Sequence, residues 1–153
     1  MINKRKLLIV GLTIFLSIAS SCGIAGAVYL KTGLSVPYYL RSLKTERLTV
    51  PELKQLPQDD LLIIDVRTPD EYAAEYIPNS ILIPIQDIEA GFGLKKIETE
   101  IIKFQANKNQ SPKIILYCQT GPRSIRAFET LQTEFDIEIL VLTGGMRAWN
   151  AGI

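Results

Sequence analysis

The sequence predicts an α/β domain with a central, mainly parallel five-stranded sheet flanked by helices, preceded by one transmembrane helix. Three observations carry this. Residues 7–30 hold 24 positions without a charge. From residue 48 onward, short apolar runs rich in β-branched residues alternate with amphipathic stretches. Those runs are almost continuously apolar, as strands buried on both faces are.

The charge balance supports the same division. The net +1 of the chain averages two unlike parts. Residues 1–47 carry seven basic side chains and one acidic, a net +6, and residues 48–153 carry ten and fifteen, a net −5. A basic head on an acidic body argues against nucleic acid as a partner, since the body would repel phosphates. There is no His and there are only two Cys, Cys22 and Cys118. That excludes a Ser–His–Asp triad, a Cys–His dyad, a His-ligated metal and a CxxC redox pair.

Taken in order, residues 1–6 form a basic segment with Lys4, Arg5 and Lys6. Leu7–Leu30 as a helix would be about 36 Å long, enough to span a bilayer core of about 30 Å. Its length predicts an uncleaved anchor. Two other readings stay open: a lipoprotein signal in which Cys22, after Ile18-Ala19-Ser20-Ser21, is lipidated, and a secretory signal cleaved after Ala25-Gly26-Ala27. Basic residues flank both ends of the run, and the tighter cluster at the start predicts a domain outside the cytoplasm. Residues 31–47 form a juxtamembrane linker, in which Pro37-Tyr38-Tyr39 suits an interface. Residues 48–153 form the domain. Strands are predicted at Leu48–Val50, Leu61–Val66, Ile81–Ile85, Ile114–Cys118 and Ile137–Leu142. Helices are predicted at Glu52–Leu56, Asp70–Tyr76, Leu94–Gln105, Arg123–Phe135 and Gly145–Ala151. Leu94, Ile97, Ile101 and Phe104 lie on one helical stripe.

The chemistry concentrates around Cys118. It ends an apolar strand and opens a turn, Gln119-Thr120-Gly121-Pro122, and Arg123 begins a helix. Ligand sites in open α/β sheets lie at such strand ends. A tight loop there turns its N–H groups inward, and a helix N-terminus adds partial positive charge, so a thiolate or persulfide would be stabilised. Gly121 lets the loop reverse. Arg123 offers a full charge, and the Ser124 hydroxyl can donate to an anion or cap the helix. A lone Cys at a strand end is more often a small buried hydrophobe. The combination of Cys, Gly and Arg at this spacing raises function above that reading.

Cys118-Gln119-Thr120-Gly121-Pro122-Arg123-Ser124 resembles the active-site loop C-x-x-G-x-R-S of rhodanese-like domains. Asp65-Val66-Arg67 through Glu71-Tyr72 is similar to that family's D-V-R-x-x-x-E-[FY]. Ile77-Pro78-Asn79-Ser80 with Ile83-Pro84 resembles its G-H-I-P-G-A…I-P stretch, and Leu142 through Trp149 its L-x-G-G-[MIF]-x-x-W. The four motifs stand in the family's order across residues 48–153. The departures are Glu75-Tyr76 for Gly-His, Asn79 for Gly, and Pro122, which lacks an N–H to offer the loop. That Pro either weakens anion binding or presets the helix start.

The resemblance implies a rhodanese-like fold and a sulfurtransferase without cofactor or metal. Cys118 would be the catalytic nucleophile, and Arg123, Gln119, Thr120, Gly121 and Ser124 would bind the anion. The partners would be a small sulfur donor, thiosulfate or a persulfide, and a thiol or cyanide acceptor. Asp65 and Arg67 are expected to be structural. Glu71 is expected to be a first-turn helix charge or a partner of Arg67. Gly144 and Gly145 are read as turn residues and Trp149 as core. Two rivals stand beside this. Cysteine phosphatases use a loop one residue longer, sized for phosphate. A non-catalytic, membrane-tethered module for docking or sulfur sensing would have no need of Cys118.

Overall fold

The computed structural model describes Leu40 and residues 43–153. The basic segment, the apolar run 7–30 with its three alternative readings, and the linker up to residue 39 lie outside the described residues. Among the described residues no helix is long and apolar enough to cross a membrane. The chain divides into two units, residues 1–40 and 41–153, and the second holds the sheet.

Five strands, β1 (Arg47–Leu48), β2 (Leu61–Asp65), β3 (Ile81–Leu82), β4 (Lys113–Tyr117) and β5 (Ile139–Leu142), form one sheet in the order β1-β5-β4-β2-β3. Every pairing is parallel. The helices are α1 (Val50–Gln55), α2 (Pro69–Ala74), α3 (Ile85–Glu89), α4 (Phe92–Lys108), α5 (Pro122–Glu134) and α6 (Gly145–Ala151).

The two central strands are apolar because both faces are covered. Ile63, Ile115 and Tyr117 join Leu53, Ile77, Leu142 and Met146 in one buried cluster, against which Trp149 packs. The alternate residues Ile64, Ile114 and Leu116 are equally buried and point to the opposite layer. There α5 lies against β4 and β5.

Capping chemistry moves several boundaries from their predicted places. β1 ends at Leu48, not Val50, because Thr49 is the N-cap of α1. Its backbone N–H donates to Glu52 Oε2 at 2.6 Å while Glu52 N–H donates to Thr49 Oγ1 at 3.4 Å. β3 is only Ile81–Leu82, since Pro84 stands at the N-cap of α3 and turns Ile85 into a helical residue. α3 itself was not predicted, and α4 runs longer than the expected Leu94–Gln105. α2 stops at Ala74 rather than Tyr76: Glu75 is extended, and its carbonyl accepts from Arg67 Nη2 at 2.6 Å instead of continuing the helix.

Asn79 stands where the motif that this stretch resembles has Gly, and its φ is 64°. Asn enters the left-handed region at less cost than most side chains.

Candidate active site

The parallel pairing of β2 with β4 runs to Asp65 opposite Tyr117. Both chains therefore leave the sheet side by side at its carboxyl edge. The loop 118–121 follows β4, and α2 follows β2.

Cys118 is buried, with 1% of its surface exposed. Two donors reach it. Gly121 N–H donates to Sγ at 3.1 Å, and Ser124 Oγ lies 3.3 Å from Sγ and 3.1 Å from the Gly121 carbonyl. The single Ser124 proton is shared between those two acceptors. Both donors gain strength when the sulfur carries charge. Gly121 has φ +125°, a conformation that its missing Cβ permits. Pro122 is the first residue of α5, so of the two expectations for it the structure displays the preset helix start. The N–H groups of Arg123 and Ser124 fall in the first turn, where the helix offers them no acceptor.

The remaining predicted residues separate. Gln119 is exposed, and its Oε1 accepts from Arg67 Nη1 at 3.2 Å, so it ties the loop to β2's exit. Thr120 is exposed at the loop tip. Arg123 does not stand free. Its Nη1 and Nη2 donate to Glu71 Oε2 and Oε1 at 2.6 and 2.7 Å. Glu71 raises the pKa of Arg123 above the ordinary guanidinium value, partial burial opposes this, and the nearby Cys118 sulfur adds to the rise.

Glu71 is thus a first-turn helix charge, as expected, but its partner is Arg123 and not Arg67. Arg67 is taken by Asp65, whose Oδ2 accepts from its Nη2 at 2.7 Å with both groups buried. The signal for Glu71 was non-local: two motifs that each end at the same edge of adjacent strands. Arg67 also lies over the Tyr117 ring. The Tyr117 hydroxyl accepts from Ile77 N–H at 3.1 Å and sits 2.9 Å from Ser80 Oγ. Burial pushes its pKa up to about 12, so it stays a neutral structural link.

The loop is also held from the β5 side. Met146 N–H donates to the Cys118 carbonyl at 2.8 Å and Arg147 N–H to that of Gln119 at 3.1 Å. Gly144 is a turn residue, as expected, whereas Gly145 is the first residue of α6; both have positive φ, and Gly145 lies directly on the Cys118 carbonyl. Trp149 is partly buried against the core cluster, with Lys54 Nζ 5.1 Å from its ring centroid. Among the described residues no cluster of Cys, Asp or Glu is arranged to hold a metal ion.

The Glu71 pairing predicts a pH signature. The hydrogen bonds from Arg123 hold its carboxyl down at about 2, against partial desolvation and helped by Thr68. A depressed carboxylate contributes stability that is complete above the unfolded-state value near 4.5 and fades as pH falls towards 2. The pair is partly exposed, so the contribution is about 1 kcal/mol after solvent screening. Urea unfolding between pH 5 and pH 2, near the ends of that window, is expected to lose this slope in Glu71→Gln. An unchanged slope would mean the pair carries no net stability.

Comparison with known proteins agrees with this geometry. The family model of the rhodanese-like domain matches residues 49–152. An uncharacterized 16.5 kDa protein of Synechococcus elongatus is 34% identical over 48% of this chain and 46% of its own length. The chain spans about half the length of the cyanobacterial relatives it matches. A sulfurtransferase of Allochromatium vinosum is 31% identical over 60% of this chain and 73% of its own. Among solved structures, a rhodanese-like domain protein of Staphylococcus aureus superposes with a TM-score of 0.52 at 31% identity, covering 69% of this chain and 91% of that one. The motif order, the parallel sheet and a family match across most of the chain converge on one assignment: the chain belongs to the rhodanese-like domain family.

Proposed function

We propose that this chain is a membrane-anchored sulfurtransferase that passes sulfane sulfur through a persulfide on Cys118. The observation that carries the reading is the Cys118 sulfur, set at the carboxyl end of β4 with the Gly121 N–H and the Ser124 hydroxyl aimed at it. In the first step the thiolate attacks the outer sulfur of the donor. The new S–S bond forms as the donor's own S–S bond breaks. Thiosulfate releases sulfite with the bonding electron pair, and a persulfide donor releases its thiolate. In the second step cyanide or an acceptor thiolate attacks the outer sulfur, and Cys118 leaves as thiolate. No oxidant or reductant is consumed. This is covalent catalysis by a nucleophile set up by its surroundings rather than by a base.

Gly121, Ser124 and the first-turn N–H groups of α5 hold the anionic sulfur, and Arg123 supplies the neighbouring positive charge. Gln119 fixes the loop, and Thr120 stands where a donor enters. Residues 48–153 contain no second Cys, so the acceptor thiol comes from outside this domain. The uncharged run 7–30 and its basic flanks support an anchor helix, with residues 48–153 outside the cytoplasm. Protease protection in sealed vesicles reads that orientation, and cleavage of the domain only after the cytoplasmic face is opened would reverse it.

The test of the activity is direct. The full chain incubated with thiosulfate is expected to gain about 32 Da, one sulfur, on Cys118, and to release thiocyanate when cyanide is added. Absence of both, with a persulfide donor as well, would leave the chain a docking or sensing module.

A further inference from the structure

Glu71 does more than cap a helix. Four donors converge on its carboxylate. Oε2 accepts from Arg123 Nη1 at 2.6 Å, Thr68 N–H at 3.0 Å and Thr68 Oγ1 at 3.1 Å, and Oε1 accepts from Arg123 Nη2 at 2.7 Å. Because Thr68 is the N-cap of α2, the carboxylate is fixed to the backbone and cannot swing away. Both terminal nitrogens of the Arg123 guanidinium are therefore engaged by a permanent anion, while the nearby Cys118 sulfur adds to the rise in its pKa. The neighbouring guanidiniums carry their own carboxylates: Arg67 is paired with Asp65 and Arg126 with Glu89. Arg147, which holds the Gln119 carbonyl through its N–H, has an exposed side chain screened by solvent.

With Cys118 as thiolate, the row Glu71–Arg123–Cys118 holds two negative charges and one positive. An incoming donor meets a net negative site. The loop resembles an anion cradle, but the charge that Arg123 brings to it is already neutralised by Glu71.

We infer that Glu71 sets the charge of the sulfur donor: by neutralising Arg123 it disfavours dianionic thiosulfate and directs the site to a small persulfide of low negative charge. This rests on the sulfur-transfer reading above. The chemistry at Cys118 is the same for both donors and differs only in the leaving group, sulfite or thiolate. Selection therefore acts on the approach and binding of the donor, where one charge at short range near a surface changes affinity about tenfold.

The experiment measures the rate of sulfur gain on Cys118 in the full chain, wild type and Glu71→Gln, with thiosulfate and with cysteine persulfide as donors. The amide keeps an acceptor for Thr68 and removes the charge. The ratio of thiosulfate to persulfide kcat/KM is expected to rise about tenfold in Glu71→Gln, mainly through KM for thiosulfate. A merely structural role would lower both donors together and leave the ratio unchanged, which overturns the inference. A second measurement does not depend on the variant folding. Wild-type loading by thiosulfate is expected to stay level or rise as salt is raised from about 0.01 to 0.15 M. A steep fall would mean that the site attracts dianions and also overturns it. If wild type gains sulfur from neither donor, the sulfur-transfer reading fails and this inference with it. Gain from cysteine persulfide with no shift in ratio fails the inference alone.

Discussion

Cys118→Ser is expected to abolish sulfur transfer, by about a thousandfold or more, while moving the unfolding free energy by no more than about 1 kcal/mol. The two halves of that result arise from different properties of the same atom. A hydroxyl can occupy the place of the thiol and accept from Gly121 N–H and Ser124 Oγ, which now lie 3.1 and 3.3 Å from the sulfur. The local hydrogen bonds survive, and only a little apolar volume is lost from a site that is 1% exposed. The hydroxyl is not ionised at neutral pH and cannot hold a sulfane sulfur, so the covalent intermediate has no place to form. Intact mass after thiosulfate, thiocyanate release and a urea titration read the three quantities. If Cys118 were only a small buried hydrophobe, the pattern would invert: stability would fall and the wild-type protein would show no sulfur gain to lose.

The sequence made the site's location legible because its signals are local. A continuous apolar run, a turn with Gly121 and a helix start fall within a dozen residues, and each carries its own backbone preference. The predicted strand end at Cys118 is off by one residue from Tyr117. The short elements were misplaced where two local signals compete. Val50 and Ile85 have strand-forming side chains, but the Thr49 hydroxyl caps the helix that Val50 begins, and the chain turns into α3 directly after Pro84, which makes no side-chain cap bond. α3 is too short for a period to emerge from five residues.

The partner of Arg123 could not be read locally at all. Glu71 and Arg123 are separated by 52 positions, and only the register of β2 against β4 brings them together. Arg67 is four residues from Glu71 and looked the more natural mate, yet the buried Asp65 carboxylate beside it claims its guanidinium. A buried charge that lacks its own partner is costly, so Arg67 and Asp65 pair first and leave Glu71 to the loop.

Gly145→Ala tests whether α6 is part of the site's support. Gly145 has φ +56°, and a Cβ built there would lie 2.1 Å from the Cys118 carbonyl oxygen, 3.0 Å from its carbonyl carbon and 3.1 Å from that of Gln119. All three neighbours are backbone, so no side chain can rotate away. The first turn of α6 has no side-chain cap. Its Met146 and Arg147 N–H groups are satisfied instead by the Cys118 and Gln119 carbonyls. A methyl group at 145 must therefore lift the helix off the loop, stretching both hydrogen bonds, or push the loop and with it the sulfur. Left-handed backbone costs about 1–2 kcal/mol, overpacking about 1–3, and each of the two weakened hydrogen bonds about 1, for a loss of at least about 4 kcal/mol. Gly152→Ala is the matched control. Gly152 has φ +72° with nothing within 4 Å of the added methyl, so it carries the backbone cost without the collision. Gly145→Ala is expected to unfold about 3 kcal/mol more easily than Gly152→Ala, and to lose sulfur transfer at temperatures where it is still folded. Equal costs for the two would mean that α6 only sits near the loop. The larger cost would mean that the seat of Cys118 is built jointly by β4, α5 and the first turn of α6.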